Sequence, residues 1–163
     1  MAEPTQSPAG GGLGTGRDEV QFRFREDDMV DHAAVTVDSF LAQSNASAVR
    51  IEPGDDVQDL VPHLDRIQLV EVNFPGFGDG RGYSAARTLR ENGYAGELRA
   101  VGDVLVDQLP NMRRCGFDSF APDRALDEGD ARAAFERWPH VYQPAADART
   151  PIWSLRHGGR RDG

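Results

Sequence analysis

Short apolar runs alternate with segments of helical periodicity through the middle of the chain. Strands are predicted where about four to eight apolar or β-branched residues cluster, at 48–51, 67–74, 97–101 and 117–120. Helices are predicted where apolar residues recur every three or four positions, at 55–64, 82–92, 103–115 and 127–138. Gly93 and Gly116 follow two of these helices and are expected to end them, because glycine tolerates a left-handed backbone.

This alternation indicates an α/β fold of βαβ repeats, with a mainly parallel sheet of about four strands. Two closures of the sheet fit the pattern, an open three-layer sheet and a half (βα) barrel. Two further apolar-polar alternations, at 20–24 and 33–37, flank an acidic turn. They predict a small N-terminal hairpin or an arm added to an edge of the sheet.

The 163 residues are expected to form one α/β domain at 20–147, after a disordered lead-in at 1–19 and before a flexible tail at 148–163. The first residues lack the basic and apolar parts of a signal peptide, which favours the cytoplasm. Cys115 is the single cysteine, so an intramolecular disulfide and all-cysteine metal or iron–sulfur sites are excluded. A reducing compartment agrees with that count, and Cys115 is interpreted as a core thiol.

The formal net charge of −9 argues against a broad nucleic-acid or anionic-membrane surface. All 18 basic residues are arginine, which removes Schiff-base lysines and the P-loop lysine. The four histidines are scattered without metal-ligand spacing, and no dinucleotide fingerprint is present. No cofactor and no metal site is therefore predicted.

In either closure the loops after the strands meet at one edge, where α/β proteins place their sites. The glycine-rich turn at 76–82 joins flexible backbone, Arg81 and a helix N-terminus, which together suit a phosphate, sulfite or carboxylate. In the alternative interpretation Asp79 caps the helix and Arg81 pairs with Asp79 or Asp103. The candidate binding residues are Asn73, Asp79, Gly80, Arg81, Gly82, Tyr83, Ser84, Arg99, Asp103, Asp107 and Gln108.

Two of these candidates have explanations that need no ligand. Asp103 and Asp107 lie four positions apart, so one helical face could present both to a divalent metal, but an N-cap role for Asp103 is preferred. Arg99 lies in an interior strand and must find a carboxylate, for which Glu97 on the same face or Asp79 could serve.

The chain resembles a bacterial family catalogued as domain of unknown function 934. The resemblance rests on three segments, FPGFGDGRGYSAARTLRENGYAGELRAVGDVLVDQ at 74–108, RCGFDSF at 114–120 and YQPAAD at 142–147. It implies proteins that are commonly encoded beside assimilatory sulfite or nitrite reductase and are loosely described as oxidoreductases, without established catalytic residues. Pro110 departs from the family pattern and is expected to kink or shorten its helix.

Two classes of function follow from these observations. In the first, the chain is an accessory protein of sulfite or nitrite reduction that docks on the reductase or on its electron donor. In the second, it is a small sulfur-assimilation enzyme or oxidoreductase that binds an oxyanion at the 79–84 loop. The first is preferred because no redox cysteine pair, metal set or nucleotide fingerprint is present in the sequence. A homodimer is left open.

Overall fold

A computed structural model describes residues 20–31, 33–76 and 78–137. The expected lead-in at 1–19, the expected tail at 148–163 and the end of the predicted last helix lie outside these residues.

The described strands form one sheet of six strands in the order β1-β6-β5-β4-β3-β2. Strands β2 to β6 are all parallel, and β1 pairs antiparallel with β6. The α/β class and the mainly parallel sheet are confirmed, whereas the expected count of four strands is too low. The strands are β1 Phe22–Arg23, β2 Val35–Thr36, β3 Ala48–Ile51, β4 Leu69–Phe74, β5 Glu97–Gly102 and β6 Ser119–Pro122.

The two N-terminal strands do not form the predicted hairpin. They lie at opposite edges of the sheet, because β1 pairs with β6 and β2 pairs with β3. Alternating residues on both sides of an acidic turn resemble a hairpin in sequence, but the pattern does not specify which strand becomes the partner. β1 corresponds to the other expectation for this segment, an arm added to an edge of the sheet.

The described residues form four α-helices, and two predicted helices that contain proline are replaced or shortened. Pro62 lies in the second of two 3₁₀ segments that replace the helix at 55–64, and Pro110 lies in the first turn of α3. Proline lacks an amide hydrogen, so it is tolerated in a first turn and not farther along a helix. The helices are α1 Val37–Ala42, α2 Arg81–Glu91, α3 Leu109–Cys115 and α4 Glu128–Arg137, and the 3₁₀ segments are Val57–Asp59, Val61–Arg66 and Val106–Gln108.

The apolar core lies between the helices and one face of the sheet. Val70, Val72 and Phe74 alternate along β4 toward this core, and residues of all four helices pack in the same cluster. Strands β2 to β6 lie in sequential order across the sheet, and the described α-helices all contribute to the cluster on this one face. No described α-helix contributes to the opposite face of the sheet, which we call the helix-free face, and this face contains most of the buried charged side chains of the described residues.

Candidate functional site

The loops after β3, β4, β5 and β6 meet at the carboxyl ends of these parallel strands, as predicted. We call residues 52–58, 75–76, 78–82, 103–108 and 123–127 the loop edge. It contains a first pocket of about 270 Å³, between residues 52–58 and α2, and a second pocket of about 480 Å³ among the loops after β4, β5 and β6. The first pocket brings together four of the predicted site residues, namely Asn73, Arg81, Gly82 and Ser84.

Asp79 occupies the place predicted for an anion beside Arg81. Its Oδ1 accepts hydrogen bonds from the Arg81 amide at 3.0 Å and from Arg81 Nε at 3.1 Å, and its Oδ2 pairs with Arg81 Nη2 at 2.8 Å. Hydrogen bonds from the Arg81 side chain, and then from its amide, lower the pKa of Asp79. The predicted pairing of Arg81 with Asp79 is therefore confirmed, whereas the predicted capping role of Asp79 is not, because Gly80 occupies the N-cap position of α2. Gly80 precedes the helix without a side-chain cap.

Asn73 at the end of β4 is fixed by its neighbours in the first pocket. Its Nδ2 donates to Glu52 Oε1 at 2.8 Å, and Arg50 Nε donates to Glu52 Oε2 at 3.0 Å. Glu52 is thus oriented from two sides by adjacent strands. A Cβ on Gly102 would lie 2.6 Å from Asn73 Oδ1, so glycine there leaves room for the carboxamide.

Two aspartates in the loop after β3 order the other wall of the first pocket. Asp55 Oδ2 accepts from the Glu52 amide at 2.8 Å, and Asp56 Oδ1 accepts from the Gln58 amide at 2.9 Å. Asp56, rather than the predicted Asp55, caps the short 3₁₀ segment. Both aspartates are exposed, and neither forms an ion pair within the described part of the chain.

The second pocket contains Asp103, but not in the predicted role. The N-cap position of the 3₁₀ segment at 106–108 is occupied by Leu105, and no described helix contains both Asp103 and Asp107. The proposed shared helical face of Asp103 and Asp107 is therefore absent there. Asp103 instead lines the pocket together with Asp123 and Leu105, and the Leu105 side chain is one of two exposed large apolar groups among the described residues.

Three other predicted site residues at this edge make contacts within the fold. Tyr83 packs on Phe74 with ring centroids 5.4 Å apart, and burial raises the pKa of Tyr83. Gln108 Oε1 accepts from the Leu105 amide at 2.9 Å. A Cβ on Gly82 would lie 2.5 Å from the Phe74 ring, so glycine permits the close approach of α2 to β4.

Arg99 lies away from the loop edge, in a row of side chains across the helix-free face. The register aligns five residues from five strands in this charged row, namely Arg50, Glu71, Arg99, Ser119 and Arg23. Of these, Glu71, Arg99 and Ser119 have no exposed surface. A row at one register level places each charge beside a possible partner on the neighbouring strand.

The central arginine of the charged row is bound on three sides. Arg99 Nη2 pairs with Glu97 Oε2 at 3.0 Å, its Nη1 with Glu71 Oε2 at 3.4 Å, and its Nε donates to Ser119 Oγ at 3.3 Å. Glu97 was one of two predicted partners and is confirmed, whereas Asp79 is committed to Arg81. Burial alone would raise the pKa of Glu97, but the hydrogen bond from Arg23 and the charge of Arg99 lower it overall.

One family model matches this chain, over residues 48–153, and its description is bacterial protein of unknown function (DUF934). The chain belongs to this family. Comparison with curated proteins and with solved structures gave no match. The matched residues include β3 to α4, so the family domain contains the loop edge and every strand of the charged row except β1.

Two features are absent from the residues that the structure describes. These residues contain no helix long and apolar enough to cross a membrane. They also contain no group of three histidine, cysteine, aspartate or glutamate side chains that could hold a metal ion. Cys115 is buried, as predicted.

Sequence reasoning missed the acidic side of the first pocket. Glu52, Asp55 and Asp56 follow β3 directly, and the signal that could have identified them was the position of β3 beside β4. The charged row was also missed as a unit, although Glu71 and Arg99 both stand out as charges inside apolar strands. Only the strand register shows that they face each other.

Proposed function

We propose that this chain is an accessory protein of assimilatory sulfite or nitrite reduction that docks on the reductase or its electron donor through the loop edge. The partner and the expected cytoplasmic location come from the sequence and the family resemblance. The observation that supports docking is the unbalanced acidity of the loop edge. Six aspartates there form no ion pair within the described residues, against one such arginine, Arg124; the six are Asp55, Asp56, Asp103, Asp107, Asp123 and Asp127.

The surroundings of Leu105 have the composition of a protein interface. Pro75, Leu105, Ala125 and Leu126 line the second pocket, which therefore offers an apolar centre. Asp103, Asp123 and Arg124 line the same pocket and Asp107 is close in sequence, so the charged groups beside the apolar lining are mostly carboxylates. An apolar centre with a charged rim is typical of transient protein interfaces, and the rim charges accelerate association with a basic partner.

The alternative, an oxyanion enzyme at the 79–84 loop, fits this geometry less well. A sulfite or related anion needs the Arg81 guanidinium and the first amides of α2, yet Asp79 already accepts from both. The neighbouring carboxylates of Asp55 and Asp56 would also repel an anion. If Arg81→Ala keeps the fold but loses measurable oxyanion binding, the enzyme proposal would be favoured over the accessory-protein proposal.

The test measures binding of the immobilised chain to purified sulfite reductase at low and at moderate salt. Asp103→Asn/Asp107→Asn/Asp123→Asn is expected to weaken binding about ten-fold at low salt, because three rim charges are lost. A matched control, Asp38→Asn/Asp65→Asn/Asp130→Asn, removes three exposed charges elsewhere and should leave the affinity within about two-fold.

Two results would contradict the docking proposal. One is equal loss of affinity in the two triple variants, which would mean that only net charge matters. The other is a stoichiometric flavin band in protein purified from its own host, which would indicate an enzyme.

A further inference from the structure

We propose that the first pocket binds the cationic side chain of an arginine or lysine from the docked partner. This inference rests on the proposed docking function and adds the chemistry of one contact. The pocket lies at the carboxyl ends of β3 and β4, where parallel sheets bind their ligands.

The size of the first pocket suits a side chain. Its volume of about 270 Å³ lies below the range of about 300–1,000 Å³ that is usual for sites of small molecules and cofactors. Ile51, Val72 and Ala85 supply apolar lining, against which the methylene stem of a long basic side chain can pack. The pocket is partly open to solvent, as insertion from a partner surface requires.

The polar groups of the pocket favour a ligand with several hydrogen-bond donors. Glu52 and Asn73 are held in place by their mutual hydrogen bond at 2.8 Å, and Arg50 also binds Glu52. Ser84 and Thr88 of α2 line the opposite wall. The Glu52 and Asp79 carboxylates are already paired with arginines, so the remaining acidic groups decide the charge that the pocket prefers.

Those remaining groups are Asp55 and Asp56. Each uses one carboxylate oxygen to accept from a backbone amide, which orders the loop without neutralising the charge. Arg81 is the single cation among the described residues that line the pocket, and it is paired with Asp79. The pocket therefore has a net charge of about −2, one from each aspartate, and a guanidinium or ammonium group would complement it.

The first experiment is an NMR titration of the full chain with acetyl-arginine-N-methylamide at constant ionic strength. The matched ligand is acetyl-citrulline-N-methylamide, which has the same shape without the charge. We expect saturable shifts at the amides of Asp56, Ser84 and Ala85 with the arginine derivative, and at least about five-fold weaker binding of the citrulline derivative. Equal binding of the two ligands, saturable shifts only elsewhere, or no saturable shift would overturn the inference.

Variants then test the two aspartates. Asp55→Asn/Asp56→Asn should weaken binding of the arginine derivative about five-fold. Asparagine keeps the oxygens that accept hydrogen bonds from the backbone amides, so the loop should keep its conformation. Asp59→Asn, which removes an exposed charge just outside the pocket, should bind as the unmodified chain does. Identical behaviour of the two variants would overturn the inference.

The reductase assay separates this inference from the proposed function. Both proposals are supported if the reductase binds more weakly to Asp55→Asn/Asp56→Asn and also to the triple variant of Asp103, Asp107 and Asp123. If only the triple variant binds more weakly, docking stands and the pocket inference fails. Full affinity in both variants overturns both proposals.

Discussion

The charged row and the loop edge use the same residue types in opposite surroundings. In the charged row, Arg99 is fully buried and touches two carboxylates and a hydroxyl. At the loop edge, Asp103, Asp107 and Asp123 form no ion pair within the described residues. A buried charge is tolerated only with partners, whereas an exposed one is solvated by water and stays available. The difference separates charges that specify the fold from charges that can meet a partner.

This comparison also explains why Arg99 is a poor candidate for binding. Its donors are taken by Glu71, Glu97 and Ser119, and its side chain has no exposed surface. A ligand would have to displace those contacts and enter the helix-free face. The sequence marked Arg99 as an arginine within an apolar strand, and its contacts in the structure are with side chains of the sheet itself.

The largest expected effect is the loss of the central arginine of the charged row. Arg99→Met removes a cation from between Glu71 and Glu97 and leaves both carboxylates in a buried setting. Breaking a buried pair in this way costs about 3–5 kcal/mol in the free energy of unfolding. Urea denaturation measures the change.

The matched control for Arg99→Met is Arg124→Met at the loop edge. Arg124 is exposed, so its replacement should change the free energy of unfolding by no more than about 0.5 kcal/mol. Similar effects at both sites would remove the distinction between the two regions.

The next effect concerns Gly102, where β5 passes from the charged row to the loop edge. Its φ is +95°, and a Cβ would lie 2.5 Å from the Phe74 carbonyl oxygen. Gly102→Ala is expected to cost about 2–3 kcal/mol, from backbone strain together with the displacement of β4. Thermal unfolding followed by circular dichroism measures it.

Gly54 in the β3 loop is the control for that substitution. Its φ is +104°, but a Cβ there would meet nothing within 4 Å. Gly54→Ala should therefore cost only the backbone strain, about 1–2 kcal/mol. Equal losses at the two glycines would show that the close approach of β4 and β5 is unimportant.

The sequence predicted the elements of the sheet better than their partners. Apolar runs located β3 to β6, and Gly93 and Gly116 end α2 and α3 with φ values of +93° and +116°. Local pattern could not place β1 and β2 at opposite edges, because strand pairing depends on contacts between residues far apart in sequence.

The candidate site was predicted in part for the same reason. Asn73, Arg81 and Ser84 were placed at the correct edge, since parallel strands bring their following loops together. The acidic wall formed by Asp55 and Asp56 required knowing that β3 lies beside β4. Asp79 and Asp103 were both expected partners of Arg81, and only side-chain geometry identifies Asp79 as the partner.

A smaller effect is expected from Glu97, the carboxylate between Arg23 and Arg99. The pKa of Glu97 in the folded chain is lowered from the ordinary value of 4.5. The ionised carboxylate therefore stabilises the folded chain fully at pH values above the pKa that Glu97 has in the unfolded chain. This stabilisation is lost as the pH falls through the pKa of Glu97 in the folded chain. Glu97→Gln should be less stable than the unmodified chain near neutral pH, and this gap should shrink as the pH falls below about 4.5. Urea denaturation across the acid range measures it, and a gap that is constant with pH would contradict the role of the charge.

The smallest effect on stability should come from the loop edge itself. Asp103→Asn/Asp107→Asn/Asp123→Asn removes three like charges that have no ion-pair partner among the described residues. Their mutual repulsion disappears, so the free energy of unfolding should rise slightly, by no more than about 0.5 kcal/mol. The same variant is expected to bind the reductase more weakly, and denaturation and binding are measured on one preparation. A loss of more than about 1 kcal/mol would show that these aspartates hold the loops together and would place them with the charged row as structural residues.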